Sequence, residues 1–229
     1  MAFRAVIFDL DGLLVDSEGW IGRAWRQALD EIGLKLSDAD FTPLVGVATA
    51  EIGRMFAERY GLDDEGFARL YARRSQLLME MYRSQLTPEH LKPGAASLLD
   101  ALEAHGVPRA IATLGRRPFV EVMLERTALQ GRFHCVVCGE DVSCPKPDPQ
   151  IFIHTARQLG VAVVDCIALE DSPAGITAAY RAGMLPILIP DLALPSPQEA
   201  ELAYARFTSL AEAQGEVLRL LGLGNGVAL

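Results

Sequence analysis

Short apolar runs alternate along this chain with longer stretches in which apolar residues return every three to four positions. Phe3 to Phe8, Arg109 to Ala112, Cys135 to Val137, Cys166 to Leu169 and Leu185 to Ile189 read as strands. Their runs carry little polar alternation, as expected where helices cover both faces of a parallel sheet. Between them, Ala95, Leu98, Leu99 and Leu102 form one helical face that stops before Gly106. Further helices are predicted over Phe119 to Leu129, Gln150 to Leu159 and Pro173 to Ala182, the last two closing at Gly160 and Gly183. Strands separated in this way by helices predict right-handed βαβ units and an α/β fold with a doubly wound parallel sheet.

One stretch interrupts the alternation. From about Ser17 to Leu86 the apolar period is helical throughout: Ile21, Trp25, Leu29 and Ile32 share a face, as do Phe67, Leu70, Leu78 and Met81 with Tyr71 beside them. This is too much chain for a simple crossover. It predicts an inserted all-helical domain, residues 17–87, packed over the carboxyl end of the first strand, with residues 1–16 and 88–229 forming the core domain. The alternative is that these helices cover one face of the sheet. "LKPG", Leu91 to Gly94, punctuates the return to the core. The C-terminal "LLGLGNGVAL" has no helix continuation and is expected to be loosely held.

Charge narrows the partners. A formal net charge of −9 and a pI near 5.0 argue against broad attraction to nucleic acid or an anionic membrane, while local binding of a phosphate stays compatible. Apolar runs fall short of the roughly 18 residues a membrane span needs, and a strand pattern begins within three residues of Met1, so a soluble cytoplasmic protein is expected. Cys135, Cys138, Cys144 and Cys166 lack finger spacing and are expected to be buried thiols.

Candidate chemistry gathers at the strand ends. In "VIFDLDGLLVDSE" the first strand ends on Asp9, with Asp11 two positions on and a turn at Gly12. Thr113 follows the second strand in "AIATLG", and Glu170 with Asp171 follows a later one in "CIALEDS". Open parallel sheets collect ligands beyond these carboxyl ends. Lys146, in the proline-restricted loop "CPKPDPQIF", adds a cation to the rim. Carboxylates without histidine suit a hard, oxygen-seeking ion, and Mg2+ is favoured where phosphate supplies further ligands. Such an ion also offsets the repulsion among the carboxylates. One aspartate can then attack a phosphoryl group while the other passes a proton to the leaving oxygen, with Thr113 and Lys146 binding phosphoryl oxygens. Alone, "DLDG" is also ordinary turn chemistry, and "EDSP" is also a helix start capped by Asp171 or Ser172.

Taken together, "FDLDGLLVDSE", "IATLG", "KPDPQIF" and "LEDSPAGITAAYRAGM" resemble, in order and spacing, the four motifs of the haloacid dehalogenase superfamily, and the resemblance spans essentially the whole chain. It is to the phosphatases and phosphomutases that carry a helical cap after the first motif. The resemblance implies a Rossmann-like core with such a cap and Mg2+ as cofactor. It implies Asp9 as the nucleophile that becomes an aspartyl-phosphate, Asp11 as general acid then base, and Thr113 and Lys146 as phosphoryl-oxygen ligands. Asp9, Glu170, Asp171 and the Asp11 carbonyl would form the metal site. Motif two departs from the usual pattern: Thr113 is followed by Leu114, Gly115, Arg116 and Arg117, so one hydroxyl is missing while the Leu114 and Gly115 amides remain donors. Arg116 and Arg117 are candidates for a second anionic group. "LVGVAT", Leu44 to Thr49, resembles the specificity loop of the cap, which nominates Gly46 and Thr49 as substrate contacts.

The expected substrate is a small phosphorylated metabolite, a sugar phosphate or phosphoglycolate, handled by a monomer or weak homodimer. A mutase of the beta-phosphoglucomutase type is the alternative. It would be expected to carry an arginine in the loop where this chain has Ala48 and Thr49, with Arg54 one turn on as a possible substitute. Dehalogenation needs no Asp11, and a non-catalytic scaffold would have lost one of the motifs.

Overall fold

Strand β1 (Ala5–Phe8) is buried along its whole length because apolar side chains leave it on both faces. Val6 and Phe8 enter one apolar layer and Ala5 and Ile7 the other, as the twofold side-chain alternation of a strand requires. The computed structural model describes residues 2–223, so the predicted C-terminal tail lies mostly outside the described residues.

After β1 come four helices, α1 (Glu18–Asp30), α2 (Asp38–Phe41), α3 (Thr49–Tyr60) and α4 (Asp64–Gln85). The chain then alternates: α5 (Ala95–Ala104), β2 (Arg109–Ala112), α6 (Arg117–Arg126), β3 (Cys135–Val137), α7 (Gln150–Leu159), β4 (Cys166–Glu170), α8 (Pro173–Ala182) and β5 (Leu185–Leu188). It ends with α9 (Pro197–Ala200), β6 (Ala205–Arg206) and α10 (Leu210–Leu220). The six strands form one all-parallel sheet in the order β3-β2-β1-β4-β5-β6. Strand order reverses on either side of β1, so the crevice of a doubly wound sheet opens beyond its carboxyl end, between β1 and β4. The register sets Phe8 beside Ile111 on β2 and Leu169 on β4, which brings the residues following all three strands to one rim.

The predicted helical stretch forms as helices, and its interior is aromatic. Trp25 meets Phe56 at 5.0 Å, Tyr71 at 6.0 Å and Phe67 at 6.3 Å between ring centroids. This interior is continuous with the sheet layer that holds Val6 and Phe8; the junction is made where α4 packs on α6 through Tyr82 and Phe119. Both linkers of the insertion are tied together: Val15 bridges Leu91, and the Asp16 amide donates to the His90 carbonyl at 2.8 Å.

Several expectations need correction. Ile32 does not share the buried face of α1; the helix ends at Asp30 and Ile32 is 53% exposed in the turn that follows. Helix α6 spans Arg117–Arg126 rather than Phe119 to Leu129, because the chain leaves helical geometry near Ala128, although Leu129 stays fully buried. Of the four cysteines, Cys138 and Cys166 are buried as expected, while Cys135 is half-buried and Cys144 is exposed. Strand β6 went unpredicted, being two residues at the sheet edge.

Candidate active site

The crevice is assembled from backbone that has just left the sheet. The Asp9 amide still donates to the Leu169 carbonyl at 3.0 Å, so its side chain is held directly beyond the β1–β4 seam and is only 7% exposed. Asp11 lies in the turn that follows. Gly12 has φ +79°, and a Cβ there would overlap the Asp171 carboxylate, so the turn needs a residue free in both respects. Ser17 donates to Asp11 Oδ1 at 2.7 Å and Thr113 to Oδ2 at 3.4 Å, which fixes the second carboxyl beside the first.

Lys146 reaches this seam from the loop before α7. Its Nζ donates to Asp9 Oδ1 at 2.5 Å, to Glu170 Oε1 at 2.5 Å and to the Ala112 carbonyl at 2.9 Å, which satisfies all three ammonium protons. Glu170 is fully buried, and its other oxygen accepts from Ser172 Oγ at 3.2 Å. Ser172 in turn caps α8 by accepting from the Gly175 amide at 3.1 Å. Glu170 therefore has both oxygens engaged and steadies the lysine, while Asp171, 4% exposed, is the carboxylate of the pair that faces the cavity. Gly175 is required by closeness, because a Cβ there would overlap the Glu170 carboxylate.

Crowding sets the protonation of these groups. Burial and the neighbouring Asp9 charge raise the Asp11 carboxyl to about 6, against the opposing pull of Ser17 and Arg74. Burial, then Asp9, Glu170 and Glu18, push Asp171 well above the ordinary carboxylate range. Burial also raises Glu170, to about 7, in spite of Lys146. Burial works against the Lys146 charge, but Asp9 and Glu170 outweigh it and hold the ammonium protonated.

These side chains open into a cavity of about 170 Å³ between the sheet rim and the insertion. Asp9, Asp11, Thr113, Leu114, Gly115, Arg116, Lys146 and Asp171 line its floor and near wall, and Gly46 from the loop before α3 and Thr49 from the start of α3 reach it. Thus the sequence-nominated contacts border one space, except Glu170, which stands behind Lys146, and Arg117 and Arg54, which lie outside it. Thr113 Oγ1 also accepts from the Gly115 amide at 2.9 Å, which shapes the turn after β2. Arg117 turns away to pair with Asp141, and Arg54 pairs with Glu51 on an exposed face of α3, outside the cavity lining.

The far wall holds groups that the sequence reading did not single out: Glu18, Trp25, Tyr71, Arg74 and Tyr82. Arg74 is 9% exposed, its guanidinium 5.3 Å from the Trp25 ring and 5.8 Å from that of Tyr71. Neither its Nε nor the Tyr82 hydroxyl has a partner among the described residues. Glu18 is 6% exposed, and burial followed by Asp11, Asp191 and Asp9 raises its carboxyl to about 8. A signal for both was present in the pattern. Glu18 precedes Ile21 and Trp25 at helical spacing, and Arg74 lies between Tyr71 and Leu78 in the same way, so each is a charged residue on an otherwise apolar stripe.

Known proteins share this sequence pattern and fold. Residues 6–189 match the family model for haloacid dehalogenase-like hydrolases. The chain is 33% identical to a probable pseudouridine-5'-phosphatase of Drosophila melanogaster, over 92% of this chain and 91% of that protein. It is 31% identical to the beta-phosphoglucomutase of Bacillus subtilis, over 80% and 82%. The crystal structure of CbbY from Rhodobacter sphaeroides in complex with phosphate superposes with a TM-score of 0.81 at 25% identity, covering 96% of this chain and 100% of that one. A doubly wound core, a helical insertion over its crevice and this breadth of matching sequence make the chain a member of the haloacid dehalogenase-like hydrolase family, and an enzyme of the phosphoric monoester hydrolase kind.

Proposed function

We propose that this enzyme hydrolyses a small phosphomonoester, a sugar phosphate or phosphoglycolate, with Mg2+ and through an aspartyl-phosphate on Asp9. The observation that carries the reading is the pairing at the crevice: Asp9 gripped by Lys146, and beside it a buried Asp11 whose carboxyl is raised to about 6. Asp9 Oδ1 is engaged by the ammonium, which leaves Oδ2 to attack phosphorus. Asp11, held by Ser17 and Thr113, gives its proton to the leaving oxygen and then takes one from the water that cleaves the acyl phosphate. The Lys146 charge and the Leu114 amide stabilise charge on the phosphoryl oxygens, while the Gly115 amide is engaged by Thr113.

The donor set fits a hard divalent ion. Asp9 and Asp171 are buried, oxygen-only and mutually repulsive, and their crowding is what a cation would relieve. Among the described residues no three His, Cys, Asp or Glu side chains converge on one point, so an ion here would take its remaining ligands from backbone, water and phosphate. Asp9, Asp171 and the Asp11 carbonyl would hold it, and it would neutralise the incoming phosphate and the charge that develops on it.

Hydrolysis is preferred to phosphosugar transfer because the loop position that a mutase would fill with arginine holds Ala48 and Thr49, and Arg54 is committed to Glu51 outside the cavity. The helical cap would exclude bulk water and select the leaving group through Trp25, Tyr71 and Arg74. A panel of phosphorylated metabolites, assayed with Mg2+ and then with chelator, tests the reading. Release of phosphate only with Mg2+ is expected, and equal turnover in both conditions contradicts it. With beta-glucose 1-phosphate and a trace of the 1,6-bisphosphate, isomerisation without phosphate release would establish the mutase instead.

A further inference from the structure

Asp191 follows β5 on the same rim and has no part in the account so far. Lys92 Nζ donates to its Oδ1 at 2.8 Å, and its Oδ2 is buried with no partner among the described residues. A buried carboxylate oxygen without a donor is costly and uncommon, and points to a ligand or water that completes it. Its surroundings identify that ligand. A Cβ on Gly12 would overlap Asp171 Oδ2 and lie 3.2 Å from Asp191 Oδ2, so the free oxygen lies against the Gly12 turn, near the Asp171 carboxylate that lines the cavity. The residues around it repel it: Asp191 adds to the charge felt by Glu18. The cation that does face it, Lys92, occupies the other oxygen.

Lys92 also joins this loop to the insertion. It stands where the chain re-enters the core: its amide donates to the Leu14 carbonyl at 2.9 Å, its neighbour Leu91 bridges Val15, and its Nζ lies 3.9 Å from Asp16 on the outgoing linker. One ammonium thus ties both linkers to the β5 loop.

We propose that Asp191 is a positioning residue for the divalent cation. Oδ2 accepts a hydrogen bond from the cation's hydration shell, while Lys92 engages Oδ1 alone. The inference rests on the magnesium reading above and adds to it an outer contact and a link to the linkers of the insertion. Outer-shell partners of this kind are worth about 10–100-fold in metal affinity.

The test is calorimetric titration of Mg2+ into the purified chain, without substrate. Asp191→Asn should weaken binding about tenfold. Lys92→Met keeps the carboxylate and removes a positive charge beside the crevice, so it should bind Mg2+ as tightly as the unmodified chain or more tightly. A purely structural role for the pair predicts a weakening in Lys92→Met at least as large as in Asp191→Asn, whose amide oxygen can still accept from Lys92. Unchanged affinity in Asp191→Asn, or equal losses in the two variants, overturns the inference and leaves the magnesium reading intact. Absence of Mg2+ binding by the unmodified chain overturns both. Should Asp191→Asn fail to fold, the sign of the Lys92→Met change decides alone, a tenfold weakening overturning the inference.

Discussion

The two walls of the cavity are built on different rules. On the sheet side, Asp9, Asp11, Lys146 and Glu170 are engaged by at least one other side chain, and Lys146 has three partners. On the insertion side, Arg74 Nε and the Tyr82 hydroxyl are buried near aromatic rings with no partner among the described residues. A satisfied network is rigid, and rigidity suits groups that must be aligned on a phosphoryl centre before it arrives. Unsatisfied donors on the opposite wall carry a desolvation cost that a bound ligand can remove. The comparison teaches what the proposed division of labour requires: the sheet rim would perform the chemistry and the insertion would read the leaving group.

The contrast can be broken most severely at Asp11. Asp11→Asn should lower kcat about 10²–10⁴-fold on an alkyl phosphate, whereas an aryl phosphate, whose leaving group needs no proton, should lose far less. Comparable losses on both would remove the acid role. Gly175→Ala forces a Cβ into the Glu170 carboxylate and so displaces the support of Lys146. A displacement of this kind should cost about 100-fold in kcat/KM, with the fold retained by circular dichroism. On the opposite wall, Arg74→Met keeps the stem packed between rings and deletes the donor, so KM should rise about tenfold for the preferred ester while kcat changes less. A loss confined to kcat would place Arg74 with the chemistry and erase the distinction.

Stability gives a further test, on the insertion side alone. Glu18 has its carboxyl raised from 4.5 to about 8, by burial before the nearby acids. Between those values the folded chain holds a proton that the unfolded chain releases, so this group's stabilising contribution is present below about 4.5 and is lost as pH rises toward 8. The metal-free protein should therefore melt at lower temperature at pH 8 than at pH 5. Glu18→Gln should flatten the profile by an amount on the order of a few kcal/mol, measured as thermal midpoints across that range.

How far the sequence could be read follows the same two walls. The fully apolar run before Asp9 and the carboxylates after β4 announce themselves because buried parallel strands must end somewhere, and a polar pair at that end has few structural uses. Lys146 was legible through its ordered motif, although its grip on Glu170 was not, since that depends on a side-chain geometry no spacing encodes. Glu18 and Arg74 were hidden by adjacency: one follows Ser17 at a helix start and the other follows Arg73, which pairs on the surface with Glu31, so each reads locally as an ordinary helix charge. Asp191 sits in a loop with no periodicity at all, and β6 is too short for a period of two to show.

The central claim is that Asp9 takes the phosphoryl group, and trapping the intermediate tests it most directly. Enzyme quenched in acid during turnover of a labelled phosphomonoester should retain label that hydroxylamine releases, as an acyl phosphate does, and Asp9→Asn should retain none. Label that resists hydroxylamine, or that persists undiminished in Asp9→Asn, would contradict the account.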